Sequence, residues 1–112
     1  MHFRLMAEAT STPVRDGKRH ERLKAWIACH ELALAVYRCS RDWPPSERYA
    51  LTSQARSAAY SAAANTFAIT VGSMAELSYV LILARDQGYL PGEVFGEVEA
   101  LRDHASPLTW GL

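Results

Sequence analysis

The chain has 112 residues, 49% of them apolar, and equal numbers of Lys/Arg and Asp/Glu, so its formal charge is zero. That length allows one domain, the apolar content argues against a disordered chain, and zero net charge argues against a dedicated polyanion binder. No uninterrupted apolar stretch is long enough to span a bilayer, and Met1-His2-Phe3-Arg4-Leu5-Met6 lacks the apolar centre of a secretion signal.

Residues 1–18 show no sustained period and contain Thr10-Ser11-Thr12-Pro13 and Asp16-Gly17. They read as an N-terminal tail or arm, with the bundle domain over 19–112. Helix one is expected from about Arg19 to Arg41, with Leu23, Trp26, Ile27, His30, Leu32, Leu34 and Tyr37 stepping by three and four. Trp43-Pro44-Pro45 stops it, because proline lacks the donor and restricts the residue before it. Ser46 is the expected cap of the next helix.

From Ser46 to Gln87 there is no proline and one glycine, Gly72. Leu51, Ala55, Ala58, Ala62, Asn65, Ile69, Gly72, Glu76 and Tyr79 make one unbroken stripe. The pattern favours a single fused helix of about 63 Å over a tight hairpin at Asn65-Thr66. A fused helix would leave two open apolar grooves and would need a second, antiparallel copy to fill them as a swapped dimer. Gln87-Gly88-Tyr89-Leu90-Pro91 is a strong stop. A last helix is expected over about Pro91–Ala105, ended by Ser106-Pro107, with Val94, Phe95, Val98, Leu101 and His104 inward and an apolar tail packing after it. The reading is all-α, an up-down helical bundle completed by oligomerisation.

Cys29 and Cys39 lie about 15 Å apart on one helix. That separation excludes a disulfide between them and fits a cytoplasmic protein with reduced thiols. His30-Glu31 lacks the second histidine of a zinc-protease helix, and Cys29, His30 and Cys39 lack zinc-ligand spacing. The serines form no nucleophile elbow. Catalytic residues, metal and cofactor are all read as none. Glu76 falls on the supposed inward stripe and would need a partner. Arg56 and Tyr49 are the expected members of that structural polar core, Arg56 because it and Glu76 keep their places in the family pattern that the chain resembles, with Arg48 as second choice. Trp26, Trp43 and Trp110 are read as core or interface anchors.

Charge is divided along the chain. Residues 1–41 carry eight Lys/Arg against four Asp/Glu, and residues 42–112 carry the reverse. Arg15, Lys18, Arg19, Arg22, Lys24, Arg38 and Arg41 are the candidates for a basic rim facing nucleic acid or a partner, a weak patch that ring assembly would multiply.

The order of Leu23-Lys24-Ala25-Trp26, His30-Glu31-Leu32, Val36-Tyr37, Glu47-Arg48-Tyr49 with Leu51-Thr52-Ser53-Gln54, Arg56, Ala58-Ala59, Ala64-Asn65, Gly72-Ser73, Glu76-Leu77 and Gly88-Tyr89-Leu90 resembles the four-helix-bundle family encoded in intervening sequences of bacterial 23S ribosomal RNA genes. The resemblance covers roughly residues 20–112. It implies an up-down bundle that assembles into rings, pentamers among them. It also implies a relation to accessory proteins of diversity-generating retroelements, whose basic ring engages a reverse transcriptase and nucleic acid. Family members carry a glutamate-glycine turn and a basic loop after the Ala-Asn pair; here Ala64-Asn65-Thr66-Phe67-Ala68 runs almost directly into Ile69-Thr70-Val71-Gly72-Ser73, and Ala63 stands where a proline is usual. Two functions are carried from the sequence: a non-enzymatic, homo-oligomeric scaffold binding a protein partner, and an RNA- or DNA-binding accessory protein using the basic rim.

Overall fold

The computed structural model describes residues 16–65 and 71–110. Helix α1 runs Asp16–Cys39, α2 Leu51–Ala64, α3 Val71–Asp86 and α4 Gly92–Trp110, with short 3-10 turns at Ser40–Asp42 and Pro45–Glu47. Helix α1 includes Asp16–Lys18, which the sequence assigned to the arm; Arg15 and the rest of that arm lie outside the described residues.

Trp43 and Pro44 are extended, at ψ 154° and 143°, as a residue preceding proline must be. Pro45 then opens a 3-10 turn, so α2 starts at Leu51 and Ser46 does not cap it. Glu47 takes that role: its Oε1 accepts from the Leu51 amide at 3.3 Å, satisfying one of the first-turn donors.

The fused central helix does not form. Helix α2 ends at Ala64, and the Asn65 amide donates to the Ser61 carbonyl at 2.9 Å as the last helical bond before the 66–70 segment. Helix α3 then returns along α2, and the longest dimension of the molecule is 50 Å, too short for the 63 Å rod. Burying α2 and α3 against each other removes apolar surface from water that a straight rod would leave exposed.

At the other end, α3 closes with a Schellman motif. The Tyr89 amide donates to the Ala84 carbonyl (2.9 Å) and the Gly88 amide to the Arg85 carbonyl (3.0 Å). Gly88 sits at φ +84°, the left-handed conformation that motif demands. Helix α4 passes through Ser106-Pro107 to Trp110 and does not stop there. Immediately before the proline, Ser106 Oγ donates one turn back to the Arg102 carbonyl at 2.9 Å.

Helices α1 and α2, α2 and α3, α3 and α4, and α4 and α1 pack as neighbours, closing a four-helix, all-α bundle. Neighbours are antiparallel. Ser78, halfway along α3, meets Glu99 on α4, and Arg85 near the end of α3 meets Phe95 near the start of α4. The core is Ala25, Ala28, Cys29, Leu32, Ala35 and Val36 from α1; Ala55, Ala58, Ala59 and Ala62 from α2; Met74, Leu77, Val80, Leu81 and Ala84 from α3; and Val98 and Ala105 from α4, closed by Trp43 and Leu90. Ala55, Ala58 and Ala62 were expected inside. Gly72, Glu76 and Tyr79 were too, but they are exposed. That error follows from the fused-helix expectation: carrying one helical phase across a break rotates every later residue to the wrong face.

Candidate functional site

Helix α1 carries two apolar stripes. Ala25, Ala28, Cys29, Leu32, Ala35 and Val36 face the core. Trp26, His30, Ala33 and Tyr37, also stepping by four and three and including three rings, lie beside them on the outside. The sequence placed Trp26, His30 and Tyr37 together with Leu32 on one apolar stripe of an amphipathic helix. The bundle buries the small one, because the alanines of α1 and α2 let those two helices approach closely.

The outer stripe lines an open groove of about 420 Å³ with Leu34 from α1 and Tyr60, Ala63 and Ala64 from α2. Leu34 is 45% exposed, Tyr37 41% and Tyr60 65%. A single exposed leucine is ordinary, but contiguous large apolar residues along one seam mark an interaction surface. At the Trp26–His30 end α2 offers the methyl groups of Ala63 and Ala64, too short to cover Trp26 and His30. Those two rings stack on each other, with centroids 5.0 Å apart and planes 5° from parallel.

Arg56 closes the groove at its Tyr37 end. Its Nε donates to Ser40 Oγ at 2.8 Å, its Nη2 to the Tyr37 carbonyl at 3.3 Å, and its guanidinium lies 4.9 Å from the centre of the Tyr37 ring. Ser40 donates in turn to the Tyr37 carbonyl at 3.3 Å. A cation here satisfies carbonyls left open at the end of α1 and opposes the negative end of its dipole. The expected polar core of Arg56, Glu76 and Tyr49 is therefore not assembled: Arg56 serves the end of α1, Glu76 is exposed on α3, and Tyr49 is 89% exposed. A different polar tie links the loops at this end of the bundle, where the Tyr89 hydroxyl donates to Glu47 Oε2 at 3.0 Å. That bond to a carboxylate raises the Tyr89 pKa.

The basic candidates do not line one edge of the chain. Arg19 and Arg22 continue the Trp26–His30 stripe toward the start of α1, and Arg41 lies just beyond its other end. Arg22 and Arg41 are separated by about 28 Å along the axis at 1.5 Å per residue. Lys24 and Arg38 project more than about 100° round the helix from Trp26. Arg15 lies outside the described residues, and of Lys18 only the helical backbone is described. Three arginines thus bracket the groove, and two further cations lie away from it.

Burial pushes the Cys39 thiol up to about 11, partly offset by Arg56, so little thiolate forms at neutral pH. Cys29 and Cys39 are both free thiols. Among the described residues no group of three or more His, Cys, Asp or Glu could hold a metal ion, and no helix is long and apolar enough to cross a membrane.

The fold and the groove define a small all-α four-helix bundle with an aromatic seam open between its first two helices. No protein-family model and no curated protein matches the chain. Ala33 and Tyr60 had not been singled out from the sequence; the second apolar period of α1 would have found Ala33, whereas Tyr60 joins the groove only because α2 packs beside α1.

Proposed function

We propose that this protein is a non-enzymatic scaffold that self-associates and binds a protein partner through the α1–α2 groove. The observation that carries the reading is the contiguous aromatic seam of Trp26, Tyr37 and Tyr60, which the described helices build but do not cover. Aromatic residues are the side chains that contribute most at protein interfaces, and arginines rank with them. We further propose membership of the 23S intervening-sequence family, on the motifs from Leu23 to Leu90 and a bundle of the implied architecture. A cytoplasmic location, supported by two free thiols, belongs to the same proposal.

Nucleic-acid binding is the weaker alternative, because the cations that would contact phosphate are divided between the two ends and the far side of α1. Sedimentation velocity at micromolar concentrations tests the main reading: the protein should run as an oligomer, and Leu34→Glu with Tyr60→Glu should shift it to a monomer. A salt titration with single-stranded and duplex RNA tests the alternative, and no binding at low salt removes it.

A further inference from the structure

The outer side of α1 carries an apolar track from its first turns to the far end of the groove. Leu23 is half-buried, Ile27 and His30 are exposed, and Leu34 and Tyr37 continue the line. Asp16, where α1 begins, lies about five turns before Leu34 at 3.6 residues per turn. The chain therefore enters α1 on the same side from which Leu34 lines the groove.

Residues 1–15 precede that point. Their pattern suits the surface they lead to. Phe3, Leu5, Ala7 and Ala9 are apolar at every second position, and His2, Arg4, Glu8 and Thr10 are polar between and beside them, with Met6 the exception. Such alternation gives an extended chain one apolar edge. Thr12 stands before Pro13, which disfavours helical backbone at Thr12.

We infer that residues 3–12 lie back along α1 as an extended arm, with Phe3 and Leu5 seated in the α1–α2 groove of their own chain. With Pro13 to Arg15 making the turn, Phe3 to Thr12 spans about 30 Å at about 3.3 Å per residue. Asp16 to Tyr37 spans about 32 Å at the helical rise, so the arm reaches the far end of the groove and no further. Ala7 comes level with Trp26 and Ile27, Leu5 with His30, and Phe3 with Tyr37. The short tether holds the arm at an effective concentration on the order of millimolar, which favours the chain's own groove over that of another copy. This goes beyond the reading above and sets a condition on it: a partner docking in the groove displaces the arm first.

Thiol cross-linking in the full chain tests the contact. Leu5→Cys with Tyr60→Cys puts one thiol on the arm and one on the groove wall. Leu5→Cys with Tyr79→Cys is the control, because Tyr79 is as exposed as Tyr60 but stands on α3, away from the groove lining. Leu5→Cys alone sets the background from Cys29 and Cys39. Circular dichroism should show unchanged helicity in all three. Under diamide, the Tyr60 pair should close an intrachain disulfide at least about tenfold faster than the Tyr79 pair. Adding Phe3→Asp should remove most of that difference. Equal rates for the two pairs overturn the inference. So does a mixture of Leu5→Cys chains with Tyr60→Cys chains that cross-links as fast as the double variant, since the arm would then sit in another copy. The intrachain rate does not require an oligomer, so a monomer in sedimentation would remove the self-association reading and leave this result standing.

Discussion

The α3–α4 seam and the α1–α2 seam are built from the same secondary structure and finished in opposite ways. Across α3–α4, Ser78 donates to Glu99 at 3.1 Å and the Arg85 guanidinium covers the Phe95 ring at 4.4 Å, while Arg102, one turn along α4, holds Glu99 at 2.7 Å. Polar and charged side chains seal that seam, and their long stems shield its apolar edge. Across α1–α2, Arg56 makes one such closure at the Tyr37 end, and from there to Trp26 the edge is bare aromatic surface. The lesson is that four packed helices do not settle where an interface lies; what reaches over the outside of each seam does.

The comparison can be broken most severely at the shared core. Leu77 is fully buried on α3, and Leu77→Ala should cost about 2–5 kcal/mol in urea unfolding, through lost burial and the cavity left behind. A smaller effect sharpens the contrast at the sealed seam. Glu99→Ala removes the acceptor of the Ser78 hydroxyl and of Arg102 Nε, while Arg102 Nη2 keeps Asp103, and should cost about 1–2 kcal/mol by the same measurement. The smallest effect is expected at the open seam. Leu34→Ser changes an exposed residue and should alter chain stability by no more than about 0.5 kcal/mol in a monomeric background. A loss as large as that of Glu99→Ala would mean that Leu34 supports the fold of its own chain and that the groove is not a free surface.

Much of the architecture was legible because local chemistry decides it. Trp43-Pro44-Pro45 ends α1 whatever surrounds it, and Gly88 followed by Pro91 ends α3 through a backbone conformation glycine adopts most easily. The failures share one cause. Periodicity says that a segment is helical and amphipathic, but not which of two apolar stripes meets the core, nor where the phase resets. Helix α1 has two stripes, and the sequence ran Trp26, His30 and Tyr37 together with Leu32 as one. The helical phase of α3 does not continue that of α2, so Glu76 and Tyr79 were placed inside when Met74, Leu77 and Leu81 are the residues buried there.

The sequence by itself determined that the chain is all helix, where α1 and α3 stop, and that small residues dominate α2. These are properties of a residue and its near neighbours along the backbone. The tertiary structure alone decided that α2 and α3 fold back on each other, that Arg56 caps α1 in place of pairing with Glu76, and that Trp26, Tyr37 and Tyr60 meet in one groove. Each of those depends on helices distant in sequence coming side by side, where burial of one stripe exposes another.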